Sequence, residues 1–155
     1  MSEATIRDAI YDVVRSVAHV GQVYDYERHS NDWTGFLDLF KVTISGDDMV
    51  RGWTIGYRGV PQARAQTFLP GKTGTERVHS FQILGVMGID DSEESEKIFA
   101  ALAEDVCDAL DSAATLHVKG GFPRAAPVIL GFDPRPFAGV LVHAAAINIQ
   151  VTEII

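Results

Sequence analysis

The sequence predicts an α+β fold, a two-layer domain with a mainly antiparallel sheet of four to five strands and two main helices packed on one face. Two segments carry apolar residues at helical spacing, and several others alternate apolar and polar residues as strands do. Strands with one polar face are typical of antiparallel sheets, because such a sheet can keep one face in water. One long inter-strand loop completes the expected architecture.

Length and composition favour a single domain over residues 1–155. Hydrophobic residues make up 46% of the chain and charged residues 22%, which is ordinary for a folded protein. The longest apolar runs fall short of the ~20 residues that cross a bilayer, and Met1 to Thr5 lacks the basic and apolar segments of a signal peptide. We therefore expect a cytoplasmic product without a membrane partner.

Both helices are predicted from apolar residues that recur on one face. The first is expected over about residues 5–18 and ends before Gly21. The second is expected over about residues 93–113, with Ser92 as its N-cap. The apolar residues concerned are Ile6, Ile10, Val13, Val14 and Val17 in the first helix, and Ile98, Leu102, Val106 and Leu110 in the second.

Five segments have the character of strands. They are residues 36–45, 50–57, 77–88, 127–130 and 139–153. In the last of these Ile147, Ile149 and Val151 alternate with polar residues, so one face is expected to be buried. Long strands with open edges and a polar face are usually blunted in natural monomers, and we therefore expect the protein to assemble.

The stretch from Gly59 to Glu76 is the predicted long loop, and it is rich in Gly, Pro, Arg, Gln and Thr. A compact domain seldom keeps so long a structureless segment unless it is functional or disordered, so we expect a mobile arm. Within it, Gly71-Lys72-Thr73 imitates the end of a phosphate-binding loop. However, Gln66 stands where that motif needs glycine, and a strand pattern follows where it needs a helix. A small ligand- or nucleotide-binding α+β protein is therefore only an alternative.

A second Gly- and Pro-rich region covers residues 120–127 and 131–137 and is not expected to form regular helix. Phe and Arg side chains held between prolines suit binding to another protein, because such residues carry much of the energy of interfaces. The alternative is that Phe132 and Phe137 fill the core beneath a loop.

The charged and nucleophilic residues indicate no enzyme, cofactor or metal site. The net charge of −8 disfavours general binding to nucleic acid. Acidic residues crowd between Asp90 and Glu96, where they suit a helix N-terminus better than a cation site. His79 and His143 lie in predicted strands and could face each other, but the five histidines lack the spacing of metal or catalytic motifs. Cys107 has the apolar neighbours of an inert core thiol.

The order of these elements and several short motifs resemble a known family. The motifs are Gly21-Gln22-Val23-Tyr24-Asp25-Tyr26-Glu27-Arg28, Asp32-Trp33, Phe36-Leu37-Asp38-Leu39-Phe40 and Arg51-Gly52-Trp53-Thr54-Ile55. Together with the long loop, the second helix and the closing strand, they make nearly the whole chain similar to the tail terminator or tail-completion (neck) proteins of long-tailed bacteriophages.

This resemblance implies a structural virion protein, assembled in the host cytoplasm, that forms a ring commonly of six subunits. Such a ring caps the head-proximal end of the tail tube, ends tube polymerisation and presents a surface for head-tail joining. The implied partners are further copies of the chain, the tail tube protein and the head-tail connector protein. DNA would pass through without specific binding, because an acidic chain repels phosphate. Another neck component of the same particle is the nearest alternative.

Seven residues are the expected interface or channel residues. They are Arg58, Arg64, Lys72 and Arg77 around the long loop, and Phe132, Arg135 and Phe137 in the second Gly- and Pro-rich region. The basic loop would attract DNA if it lined the channel, unless acidic residues of a partner or a neighbouring subunit neutralised it. Placement against an acidic tube protein explains the charge equally well.

Overall fold

A computed structural model describes residues 3–60, 62–69, 72–113, 122–123, 127–137 and 139–155. Within these residues the helices are α1 (Glu3–Ser16), α2 (Trp33–Phe40) and α3 (Ser95–Asp111), with a 3-10 turn at Asp91–Glu93. The strands are β1 (Gln22–Tyr24), β2 (Lys41–Ile44), β3 (Asp47–Tyr57), β4 (Gln62–Leu69), β5 (Lys72–Gly88), β6 (Phe122–Pro123), β7 (Val128–Phe137) and β8 (Val140–Ile154). The predicted α+β class is confirmed.

The described strands form one sheet of eight, where the sequence had suggested four to five. Its central order is β1-β3-β5-β8-β6, while β2 pairs with β3, β4 with β5 and β7 with β8. Only the short β1–β3 pairing is parallel, and the other described pairings are antiparallel. One half of β5 lies between β3 and β8, and its first residues lie against β4.

The two main helices α1 and α3 pack on one face of the sheet, as expected. Trp53 of β3 and Phe99 of α3 are both fully buried, with ring centroids 5.8 Å apart. They belong to the first core cluster, which residues of α1 and α3 form with residues of β3, β5 and β8. The Trp53 indole Nε1 donates to the Val20 carbonyl at 3.1 Å, so the ring is fixed both by packing and by a hydrogen bond. A Cβ added at Gly85 would lie 2.6 Å from Trp53 Cε3, which explains why glycine stands there.

The start of α3 differs from the prediction, because Ser92 is not its N-cap. Asp90 caps the 3-10 turn instead, and its side chain accepts from the Ser92 backbone N–H at 3.1 Å. Glu94 follows in the left-handed region, with φ 52°, and is the N-cap of α3 without a side-chain capping bond. The acidic residues therefore build a separate turn before the helix begins at Ser95.

Residues 36–45 are not one strand, because α2 occupies the first part and only Lys41–Ile44 is extended. Asp32 begins the helix by accepting from the Gly35 backbone N–H at 2.7 Å. Phe36 and Phe40 then lie one turn apart and are both buried. They form a second core cluster with Val86 and Val142.

This second cluster lies on the sheet face opposite to α1 and α3. Successive residues of a strand face opposite sides of the sheet. Gly85 and Met87 of β5 face the first cluster, so Val86 between them faces the other side. Tyr24 packs edge-on against Phe40, with centroids 5.9 Å apart, and its hydroxyl donates to the Leu39 carbonyl. The short α2 thus partly covers the face that the sequence predicted to be polar.

The expected loop from Gly59 to Glu76 is mostly a β-hairpin. β4 pairs with β5 from Gln62↔Val78 to Leu69↔Lys72, with an irregularity between Thr67 and Leu69. The prediction of a structureless segment is wrong, because pairing through backbone hydrogen bonds needs no alternation of apolar side chains.

The Gly- and Pro-rich segment 131–137 is not helix, as expected, and forms part of a strand. β7 runs through it and pairs with β8 up to Phe137↔Val140, with a register shift between Ile129 and Gly131. Among the described residues β7 has no partner on its other side, so Pro134 and Pro136 are tolerated at an edge. Most of residues 120–127 lie outside the described part of the chain.

Candidate interaction surfaces

The β4–β5 hairpin forms an arm that extends beyond the body of the sheet. β8 pairs with β5 only from Glu76 onward, and two further hydrogen bonds of 2.8 and 3.0 Å join Thr75 to Ile155. Beyond this point the pairs Gln66↔Gly74 and Thr67↔Thr73 have no third strand in the part of the chain that the structure describes. We call residues 62–77 the arm.

Three of the expected interface bases belong to the arm. Arg64 lies in β4 opposite Glu76, while Lys72 begins β5 and Arg77 is exposed. An otherwise acidic chain of net charge −8 therefore carries three of its 13 Lys and Arg residues on one two-stranded element. Positive charge is thus concentrated on a hairpin that, near its tip, pairs with no other strand that the structure describes.

Arg58 does not belong to the arm surface, because its guanidinium is engaged in the body. It forms an ion pair with Glu27 and donates to Gln82 Oε1 at 2.9 Å. Hydrogen bonding from Arg58 lowers the pKa of Glu27 below its usual value. Arg58 thus ties the segment before α2 to β5, and its role is structural.

The Gly71-Lys72-Thr73 sequence does not have the geometry of a phosphate-binding loop. Lys72 and Thr73 lie at the start of the 17-residue strand β5, whereas such a loop leads into a helix. Gly71 lies outside the described residues. The structure therefore gives the nucleotide-binding alternative no support.

The other three expected anchors have different environments. Phe132 packs against Phe99, with centroids 5.4 Å apart, and belongs to the rim of the first core cluster. Arg135 is exposed and lies 3.5 Å from the Asp133 carboxylate. Phe137 is 37% exposed, although its ring lies 5.8 Å from that of Phe36. Only Arg135 and Phe137 are therefore available at the surface, and Phe132 fills the core.

The outer edge of β7 is a further candidate surface that the sequence did not reveal. Val128 and Leu130 on this edge are 50% and 63% exposed. Residues with large apolar side chains at an unpaired strand edge can pair with another chain unless they are protected. The only signal in the sequence was the apolar run at residues 127–130, which predicted a strand but not an edge.

A pocket of about 150 Å³ lies beneath α2, on the face opposite the main helices. Phe36, Phe40, Leu84, Val86 and Phe137 supply its apolar walls. The remaining lining residues are Glu27, Arg28, His29, Ser30 and Thr54. Several of these belong to the motifs on which the family resemblance rests, but no sequence signal predicted a pocket.

His79 and Glu153 form a buried polar pair at the base of the arm. His79 Nε2 lies 2.8 Å from Glu153 Oε2, and His79 Nδ1 lies 3.1 Å from the Tyr57 hydroxyl. Burial alone would raise the pKa of Glu153, but hydrogen bonds and charges that include those of His79 outweigh it and lower that pKa. Both members of the pair are buried, and the contact joins β5 to β8 beside the arm.

Ser95 and His143 form a second buried pair, with 2.8 Å between Ser95 Oγ and His143 Nε2. The same Ser95 oxygen accepts from the Asp90 backbone N–H at 2.8 Å, so it joins the 3-10 turn to β8. His143 also stacks on Phe99, with centroids 6.1 Å apart. His143 pairs with Met87 and His79 with Val151, so the two histidines do not face each other.

Cys107 and Asp90, which the sequence also brought into question, have structural environments. Burial raises the pKa of the half-buried Cys107 thiol to about 11, so it is protonated and a poor nucleophile at neutral pH. Hydrogen bonding from Ser92 lowers the pKa of Asp90, consistent with its capping role. Within the described residues, no group of three or more His, Cys, Asp and Glu is arranged to hold a metal ion.

No family model matches the chain, and no curated protein matches it at a significant level. In the part of the chain that the structure describes, no helix is both long and apolar enough to span a membrane.

Proposed function

We propose that this chain is a structural virion protein that forms a ring at the head-proximal end of a bacteriophage tail tube. The ring ends tube polymerisation and offers the surface for head-tail joining. The observation that carries the proposal is the basic arm, which projects from an acidic α+β body and has no third strand beside it near its tip among the described residues. Such an element is suited to contact with another protein.

Two of the edge strands of the sheet, β4 and β7, support assembly into a ring. β4 lies on one side of β5, and β7 lies on the far side of β8, so these two strands present edges that face opposite directions. Closed rings need heterologous contacts, in which one surface of each subunit meets a different surface of the next. Two unlike strand edges on one subunit satisfy that requirement, since β7 bears exposed apolar side chains and β4 belongs to the basic arm.

Charge supports the same role. A net charge of −8 disfavours adhesion of DNA to a ring through which it passes. Arg64, Lys72 and Arg77 would then contact an acidic surface of the tube protein or of a neighbouring copy. The buried positions of the His79–Glu153 and Ser95–His143 pairs fit a structural role better than an enzymatic one.

A capping assay with purified components tests this function. Tube protein polymerised with this chain should give tubes that stop growing, and Arg64→Glu combined with Lys72→Glu should weaken the capping. The matched control is Arg15→Glu with Lys41→Glu, which reverses two exposed bases outside the arm and should cap normally. Undiminished capping by the arm variant would contradict the role of the arm. Binding to the connector without any effect on tube growth would indicate another neck component instead.

A further inference from the structure

We propose that the pocket beneath α2 is a docking site for one aromatic side chain that is flanked by carboxylates on a partner protein. The proposal rests on the size of the pocket, the chemistry of its walls and the unmatched charge at its rim. It does not depend on the role in the phage tail, since any partner with this chemistry would satisfy it.

The size of the pocket favours a single side chain. Sites for cofactors and metabolites usually enclose about 300–1,000 Å³. The pocket beneath α2 encloses about 150 Å³, and an apolar cavity of roughly 150 Å³ can hold one benzene ring. We therefore infer that the occupant is one ring carried on a larger molecule.

The walls of the pocket suit an aromatic ring. Phe36 and Phe137 lie with ring centroids 5.8 Å apart at an angle of 31°, and Leu84 and Val86 rise from β5 beside them. Phe137 remains 37% exposed, so its ring is accessible to an incoming group. Contacts between aromatic rings are favourable beyond the area they bury, which favours an aromatic occupant over an aliphatic one.

The rim carries a cation whose charge is not matched within the described chain. The Arg28 guanidinium lies over the rings of Tyr24 and Tyr26, at 4.8 and 5.2 Å from their centroids. Among the described residues it forms no ion pair, and the neighbouring Glu27 carboxylate is engaged by Arg58 instead. The contacts with Tyr24 and Tyr26 restrict the Arg28 guanidinium. A carboxylate beside the inserted ring can therefore pair with Arg28 at little cost in side-chain entropy.

Nuclear magnetic resonance titration of the labelled full chain tests the proposal. The probes are acetyl-Asp-Phe-Asp-amide, acetyl-Asp-Ala-Asp-amide and acetyl-Lys-Phe-Lys-amide. We expect the first peptide to shift the resonances of Phe36, Leu84 and Phe137. It should bind at least about tenfold more tightly than the alanine peptide, because burying a Phe side chain is strongly favourable. The lysine peptide should bind more weakly than the first.

Substitution of Arg28 measures how much this cation contributes to peptide binding, apart from the pocket walls. Arg28→Gln should weaken binding of acetyl-Asp-Phe-Asp-amide by about two- to fivefold, as expected for an exposed ion pair, and should leave the lysine peptide unaffected or slightly favoured. Arg15→Gln is the matched control, because Arg15 also stacks over a tyrosine, Tyr11 at 5.2 Å, but lies on α1. It should change neither affinity, and the melting temperatures of both variants should confirm that they are folded.

Several results would overturn the proposal. One is that the alanine peptide shifts the pocket resonances as much as acetyl-Asp-Phe-Asp-amide does. Another is that acetyl-Asp-Phe-Asp-amide shifts none of them at about 10 mM, a concentration that would reveal even a very weak complex. The third is an unchanged affinity of this peptide for Arg28→Gln. Benzoate binding as tightly as the first peptide would indicate a free aromatic acid, and shifts that depend on dilution of the protein alone would indicate a second copy. Normal tube capping alongside any of these results would leave the proposed function standing.

Discussion

At the scale of single residues, His79 and Glu153 fix the place where the arm leaves the sheet. Arg77 and Val78, just before His79, are the last β5 residues that pair with β4, and Glu153 lies near the end of β8. Their side chains meet at 2.8 Å in a buried position. A buried charged partner that loses its hydrogen bonds is costly, so we expect this pair to favour the observed register between β5 and β8.

Replacing Glu153 should therefore lower stability in a pH-dependent way. We expect Glu153→Gln to reduce the free energy of unfolding by about 1–3 kcal/mol at pH 7. The folded pKa of Glu153 is lowered, so its contribution is present above the ordinary carboxyl pKa of about 4.3 and is lost as the pH falls through the folded value. Urea unfolding at pH 7 and at decreasing pH measures this difference.

The control for this prediction is Glu94→Gln, which removes an exposed ion pair with Lys97. That change should cost less than about 0.5 kcal/mol at any pH. A Glu153→Gln cost that stayed constant from neutral to strongly acidic pH would show that the carboxylate charge is not what stabilises the junction.

Two glycines of β5 give a second prediction at this scale. Gly85→Ala should destabilise the protein by about 1–3 kcal/mol, because the added methyl group meets the buried Trp53 ring. Gly88→Ala in the same strand should be close to neutral, since its nearest neighbour, Val50 Cβ, would lie 3.6 Å away. Thermal unfolding of the two variants decides the matter, and equal melting temperatures would contradict the packing described around Trp53.

At the scale of elements, the arm is separable from the core. Among the residues whose side chains the structure describes, neither core cluster contains one between 58 and 77. We expect replacement of residues 64–74 by a short Asn-Gly turn to change the unfolding free energy by no more than about 1 kcal/mol while abolishing tube capping. Circular dichroism melts combined with the capping assay measure both effects. A variant that failed to fold would show that the arm belongs to the stable core after all.

The sequence predicted those elements whose periodicity is set by burial. Recurrence of Ile98, Leu102 and Val106 located α3 to within two residues at each end, although Ile98 itself is 44% exposed. The bounds of β8 were close for the same reason, since its alternation reflects one buried face. Burial of a regular stripe is a local property of the chain and is therefore visible in its sequence.

The elements that were missed depend on contacts far along the chain. α2 is only eight residues long, and its apolar residues are too close together to separate helical from strand spacing. The arm and the 131–137 part of β7 are strands because of their pairing with β5 and β8, despite glycine and proline nearby. The pocket was likewise invisible, because residues 27–40 meet Leu84 and Phe137 only after the sheet has formed. Arg58 was wrongly expected at an interface, because its partner Glu27 lies 31 positions away in the sequence.

At the scale of the whole molecule, assembly should depend on the strand edges. Leu130→Lys places a charge at the exposed edge of β7 and should weaken self-association, because charged residues on an edge oppose strand pairing. Ile98→Lys is the control, since Ile98 is 44% exposed but lies on a helix, α3, and not on a strand edge. Sedimentation over a range of concentrations compares the two variants with the wild type. A wild-type chain that stayed monomeric at millimolar concentration and formed no ring on purified tails would contradict assembly.

The central claim is that this chain ends the growth of the tail tube and joins the tail to the head. Electron microscopy of particles assembled without the protein tests it most directly. We predict filled heads and tubes that are separate, with tubes of uncontrolled length where no other factor stops their growth, and rescue by wild-type protein but not by the arm-deleted variant. Tails of normal length joined to heads in the absence of the protein would contradict the claim.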